Sequence, residues 1–276
     1  MEELIECYGT EDDSEDTVLD SEVTVLDSEV TVLDSEVTFP DNDGLGIIPH
    51  TLQTEDTGKM FEMAICLAYG ITYDGKYKYG MELPNQLRTR LEPISSIYPN
   101  LQHTAKRGAR YDFTSITDPT KHLSAKTTKK GIGKVAPQVI GQCQPHKFCD
   151  ILGIQSTTIP SLKEYIQTHI PEILKVLVEH TFDCPNLYYN QEKDSIQYIT
   201  WTTDIFSIDW ENFPMKWTRK WDEWENSSTL KTVYEGKEYA LVEFQFHTKN
   251  RTNMAIRWYY ENVITIFRKN MHIIHL

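Results

Sequence analysis

No stretch of this chain approaches the ~18–20 consecutive apolar residues that a bilayer-spanning helix requires, so no membrane partner is expected. The first residues, Met1-Glu2-Glu3, lack the basic and apolar regions of a signal peptide. Lysine and arginine are missing altogether from residues 1–43, which hold 16 of the 41 acidic residues. Cysteine is scarce. The 5 thiols, at positions 7, 66, 143, 149 and 184, form an odd and scattered set that suits reduced thiols better than a disulfide framework. Together these absences predict a soluble, intracellular protein of the cytoplasm.

The charge is uneven. Over all 276 residues it is −14, which by itself argues against a nucleic-acid partner, because phosphate binding leaves a basic footprint. Setting aside residues 1–43 leaves 25 acids against 27 bases, a net charge of about +2 for residues 44–276. The sequence therefore divides into an acidic tail, 1–43, and a body, 44–276. The body can bury a sizeable core, and an aromatic content of 11% with 6 Trp and 15 Tyr excludes disorder there. Residues 17–37 are three identical copies of TVLDSEV. Three short heptads rich in Thr, Val and Ser make a poor coiled coil, so the tail is expected to be flexible. A sharper reading makes it a DNA-mimicking or autoinhibitory segment that competes for a basic cleft.

Within the body, residues 57–70 read as a helix closed by Gly70, apolar on nearly every side except for Glu62. Residues 110–114 and 122–127 read as two strands joined through Asp118-Pro119. A helix is expected around 159–180, and strands over 238–246 and 253–260. Charge peaks over 104–147, where Lys106, Arg107, Arg110, Lys121, Lys126, Lys129, Lys130, Lys134 and Lys147 face only Asp112 and Asp118, a net of +7. A solvated basic face is the plain explanation. The interleaving with strand residues and with Gln138, Gln142 and Gln144 favours a polyanion partner, since lysines attract phosphates and amides read phosphates or base edges.

Asp112 on one strand, Ser124-Ala125-Lys126 on the next and Glu62 on an upstream helix resemble the PD-(D/E)XK nuclease superfamily, and within it the small Type II restriction endonucleases. The string HLSAKTTKKGIGKVAPQVIGQ (122–142) is similar to their catalytic hairpin and following loop, and VEFQFHTKNRTNMAIRW (242–258) to their C-terminal strand pair. These blocks cover about a third of the body. The resemblance implies an α/β fold with a mixed central β-sheet flanked by helices. It also implies Mg²⁺-dependent hydrolysis of double-stranded DNA at a short specific sequence and a paired DNA methyltransferase; two-fold symmetric sites favour a homodimer, though some small members of the class act as monomers. In that scheme Asp112, the Ala125 carbonyl and Glu62 hold the metal, and Lys126 orients the attacking water and stabilises the phosphate. Where the family carries Glu or Asp this chain carries Ser124, a neutral and weaker ligand. A degenerate nuclease that binds DNA without cutting therefore stays open, as does a repair or structure-specific nuclease.

Glu243-Phe244-Gln245 offers a second, lower-ranked centre, since an ExQ triplet replaces ExK in some members of the superfamily. The polar run after it, His247, Lys249, Asn250, Arg251 and Asn253, has the side chains that read adenine and guanine edges in the major groove. A solvated hairpin loop is the competing explanation. With Lys129, Lys130, Gln138 and Gln142 these residues make up the expected DNA contacts. Cys143, His146 and Cys149 lack a fourth zinc ligand, and Gly131-Ile132-Gly133 lacks the GKS/T ending of a phosphate loop.

Overall fold

A computed structural model describes residues 54–98, 100–105, 109–155, 158–204, 207–247 and 252–276. The acidic tail with its repeats, Lys106, Arg107, and the hairpin residues Lys249, Asn250 and Arg251 lie outside the described residues.

The chain enters through helix α1, Thr54–Tyr69. Gly70 closes it at φ +62°, with Gly70 N–H donating to Leu67 and Ile71 N–H to Cys66. This is the paired arrangement that a left-handed residue permits after a helix. Helices α2 (Glu82–Leu91) and α3 (Ile94–Ile97) follow. Three antiparallel strands come next: β1 (Leu101–His103), β2 (Phe113–Ser115) and β3 (His122–Thr128). The strand expected over 110–114 begins three residues late, at Phe113. Arg110 and Tyr111 are drawn away to Asp183, by an ion pair at 2.9 Å and a hydroxyl hydrogen bond at 2.5 Å.

Short strands β4 (Lys134–Val135) and β5 (Gln142–Cys143) lead into helices α4 (Pro145–Leu152), α5 (Ile159–Thr168) and α6 (Ile170–Phe182). The single helix expected around 159–180 is thus two. Pro171 has no N–H to give and its ring would clash with a carbonyl one turn back, so the first helix stops and the second begins with that proline in its first turn. Strand β6 (Asn186–Asn190) then pairs with β3 in parallel, from Ser124↔Asn186 to Thr128↔Asn190. Antiparallel β7 (Ser195–Trp201) and the C-terminal β12 (Met271–His275) complete a six-stranded mixed sheet in the order β1-β2-β3-β6-β7-β12.

A second sheet, wholly antiparallel, was not distinguished in the sequence. It runs β4-β11-β10-β9-β8, with β5 also on β11. Its strands are β8 (Met215–Trp217), β9 (Ser227–Tyr234), β10 (Lys237–His247) and β11 (Asn253–Tyr259), and helix α7 (Tyr260–Ile266) follows.

The mixed sheet is covered on both faces. Phe61, Ala64 and Ile65 of α1, with Leu87 and Leu91 of α2, pack on Leu123, Leu187 and Tyr189. The neighbour between the last two, Tyr188, points the other way, into a core with Leu174, Leu177, Val178, Phe244 and Trp258, as the alternation of a strand requires. No helix among the described residues is long and apolar enough to cross a membrane. Leu187 is fully buried beneath α1. Leu187→Ala is expected to lower unfolding free energy by about 2–5 kcal/mol, read from urea denaturation midpoints. A loss below about 1 kcal/mol would mean that α1 does not press on this sheet.

Candidate active site

Asp112 lies one residue before β2. Its carbonyl accepts the Thr104 N–H at 2.8 Å, which continues the β1–β2 ladder by one bond and fixes the backbone there. On the other side β2 and β3 separate after Phe113↔Leu123. At that gap the Ala125 N–H has no strand carbonyl opposite it, and the Asp112 carboxylate takes the place of one, with Oδ2 accepting from Ala125 N at 2.8 Å. The preceding peptide faces the other strand, Ser124 N–H donating to Pro185 O at 3.0 Å. A residue's N–H and C=O lie on the same strand edge, so the Ala125 carbonyl opens into the gap beside Asp112.

Asp112 as a residue is half-buried, but its carboxyl group is enclosed, and that burial pushes its pKa above the usual carboxylate range. The Lys126 ammonium opposes the shift and the Glu62 carboxylate adds to it. Glu62 and Lys126, both distant from Asp112 in sequence or strand, thus each act on its carboxyl electrostatically. Lys126 follows Ala125 on β3 and projects to the same face as Ser124.

An acid in an apolar helix needs a partner, and Glu62 has one that the sequence did not reveal. His103 Nε2 lies 3.2 Å from Glu62 Oε2, with the histidine side chain fully buried and the glutamate 17% exposed. The neighbouring thiol of Cys66 is pushed up to about 12 by burial, with a smaller contribution from Glu62. The signal for His103 in the sequence is slight. It is one inward position of a three-residue strand, and its partner comes 41 residues earlier.

Ser124, read in sequence as a weak ligand, is fully buried and turned inward. Its Oγ accepts from Gln138 Nε2 at 2.6 Å. Gln138 in turn is tied to α6, its N–H donating to His180 O at 2.8 Å and its carbonyl 3.0 Å from His180 Nδ1. The structure therefore places Gln138, expected among the DNA contacts, inside the protein, where its amide clamps the loop after β4 to β3. A charged Glu or Asp at position 124 would have to be desolvated in this slot, a cost that serine avoids.

That loop is strained at Val139, a β-branched residue at φ +63°. The Ile140 N–H donates to Gln138 O across it at 2.6 Å, a γ-turn of the less favourable hand. Its exposed side forms a groove of about 300 Å³ with Ala109, Ala136, Pro137, Gln142 and Lys147. Gln142 is exposed on β5 and pairs with Ala255. Ala255 in turn pairs with Gln245, and His247 with Asn253. Directly paired residues share a face, so Gln142, Gln245, His247 and Asn253 line one face of the second sheet near the hairpin tip. Lys129 and Lys130 sit beyond the end of β3.

The second centre considered in the sequence is a closed network. Glu243 is paired with Lys134 at 3.1 Å and with Arg257 at 3.0 Å, and it is 11% exposed. Arg257 also donates to Gln245 Oε1 at 2.7 Å. The basic stretch shrinks for the same reason, since acids distant in sequence fold against it. Asp183 takes Arg110 and Glu243 takes Lys134.

An acid whose folded pKa is raised costs stability above its unfolded value, and the cost disappears as pH falls through the ordinary carboxylate range near about 4. Asp112→Asn keeps an oxygen for the Ala125 N–H and removes the charge. In metal-free buffer at pH 7.5 the variant is expected to melt a few degrees higher than the parent, on the order of 2–4 °C. The difference should vanish below about pH 4. Equal melting temperatures at both pH values would show that the enclosed charge carries no penalty.

No family model matches the chain, and no solved structure matches it. The chain is similar to the Type II restriction enzyme CviAII of Paramecium bursaria Chlorella virus 1, with 38% identity over 234 residues. The shared region is 84% of this chain and 64% of that enzyme, so the chain spans a little under two thirds of its relative's length. Over most of its own length, the chain is a relative of a Type II restriction enzyme.

Proposed function

We propose that the chain is a Type II restriction endonuclease, a metal-dependent hydrolase that cuts both strands of duplex DNA at a short specific sequence. The observation that supports this is the Asp112 carboxylate held by the Ala125 N–H at the point where β2 and β3 part, with Lys126 and Glu62 within electrostatic reach of it. The fold supports it: a mixed sheet covered on both faces is what the PD-(D/E)XK resemblance implies. Similarity to a restriction enzyme supports it independently.

The donors around the gap suit Mg²⁺. Two carboxylates and a strand-edge carbonyl are hard oxygen ligands, and the enclosed, raised carboxyl of Asp112 is an acid in want of a cation. Among the described residues no three or more His, Cys, Asp and Glu side chains converge as a ready-made cage. Mg²⁺ is commonly held by only one or two carboxylates, with water and substrate phosphate completing its shell. Asp112, the Ala125 carbonyl and Glu62 would hold the ion, which supplies neutralisation of phosphate charge and acidification of a water.

The remaining work falls to the chain. Lys126 orients the water that attacks phosphorus and stabilises the charge that builds on the phosphate oxygens. Ser124 binds no ion in this scheme; it anchors Gln138 and so holds the strained loop at the mouth of the site. Lys129 and Lys130 contact phosphates, and Gln142, His247 and Asn253 face the bases. Two-fold symmetric DNA sites favour a homodimer, and a host genome cut at its own sites requires a methyltransferase of matching specificity.

The test is a digest of long duplex DNA of known sequence with Mg²⁺, followed by mapping of the ends. Discrete fragments with a common end sequence are expected. Lys126→Ala should slow cleavage by about 10²–10⁴-fold while retaining DNA binding. Nicks confined to junctions or damage would favour a repair nuclease, and tight binding without cleavage a degenerate nuclease. Either result rejects the restriction reading.

A further inference from the structure

His103 is held from three sides, and the contacts leave only one arrangement of its ring. The Asp74 N–H donates to Nδ1 at 2.9 Å. A nitrogen that accepts a hydrogen bond carries no proton, so the ring proton sits on Nε2. That nitrogen faces Glu62 Oε2 at 3.2 Å. Tyr73 stacks on one side of the imidazole, with ring centroids 4.4 Å apart, and Phe113 packs at 5.1 Å. Asp74 and Tyr73 both belong to the loop that joins α1 to α2, and Phe113 is the residue after Asp112.

We propose that His103 is a positioning residue, which fixes the Glu62 carboxylate toward Asp112 by donating from Nε2 while the Tyr73–Asp74 loop holds its other face. The proposal rests on the reading of Glu62 as a metal-binding carboxylate. Carboxylates that bind metals are themselves hydrogen-bonded, and loss of such a partner costs about 10–100-fold in metal affinity or activity. A glutamate midway along an inward-facing helix has three rotatable bonds, and Glu62 has little room to choose among them once the imidazole claims one oxygen. The loop thereby bears on the site through His103.

Two substitutions separate the two nitrogens. In His103→Gln the terminal amide reaches about as far as Nε2 and still donates to Glu62, but the acceptor for Asp74 is lost. In His103→Asn the amide oxygen occupies the place of Nδ1 and keeps the Asp74 bond, but nothing donates to Glu62. Full-length proteins are compared by Mn²⁺ titration calorimetry without DNA, by the Mg²⁺ concentration for half-maximal cleavage, and by thermal melting. His103→Asn should weaken Mn²⁺ binding and raise the Mg²⁺ requirement about 10-fold or more, with melting close to the parent. His103→Gln should stay within about threefold of the parent on both metal measures. Equal losses in the two variants, or none in His103→Asn, would overturn the proposal.

A metal-free measurement keeps this outcome apart from the fate of the function itself. Long-range ¹H–¹⁵N spectra of the parent should show the His103 proton on Nε2, and Glu62→Ala should shift that resonance. A proton found on Nδ1 defeats the positioning role whatever the chain does to DNA. Nε2 protonation in a chain that neither binds Mn²⁺ nor cleaves upholds the hydrogen bond and rejects the nuclease reading, and with it the metal-directed purpose of His103.

Discussion

One hydrogen bond organises the candidate site: the carboxylate of Asp112 receiving the N–H of Ala125 at 2.8 Å. Two strands that stayed paired would bury both groups in a continuous ladder. Because β2 leaves β3 after Phe113, a backbone donor is orphaned inside the protein, and an unpaired buried N–H is costly. A side-chain acid fills the vacancy. This one substitution of a side chain for a backbone carbonyl keeps the acid near the sheet's interior and leaves the Ala125 carbonyl open on the same edge. Lys126, Glu62 and His103 all lie within electrostatic reach of that carboxylate.

Ser124 illustrates how a local sequence motif and a fold can weight one residue differently. In the string Ser124-Ala125-Lys126 it occupies the position where an acid is expected. In space it is enclosed against Gln138, and the glutamine is bound through its backbone to His180 at the end of α6. Removing charge at 124 leaves a neutral hydroxyl that can be buried. The chain uses it to tether a loop with a strained turn at Val139, and such strain is sustained only where surrounding bonds over-determine it.

Much of this was legible in the sequence where local patterns decide it. The buried helix with its glycine stop, the hairpin containing Asp112 and Lys126, and the strands on either side of residues 248–251 all follow from periodicity and turn residues. What escaped depended on distant partners. The break at Pro171, the late start of β2 and the neutralisation of Arg110 and Lys134 each involve local clashes or acids from more than 70 residues away. His103 belongs to the same class, because a single histidine in a three-residue strand carries no pattern. Charge counted along the sequence therefore overstated the basic surface, while Glu62 and Lys126, far apart in sequence, both come within electrostatic reach of Asp112.

The thiols at 66 and 184 give the site an internal clock. Both are buried, and burial raises each to about 12, so at neutral pH they remain protonated and unreactive. Cys66 lies beside Glu62, and Cys184 is within electrostatic reach of Asp112 and Lys126. An alkylating reagent can meet these sulfurs only during excursions that lift α1 from the sheet or separate β3 from its neighbours. The rate at which each is labelled thus measures how often its own side of the site comes apart, and the two rates together tell whether those sides open as one unit or independently.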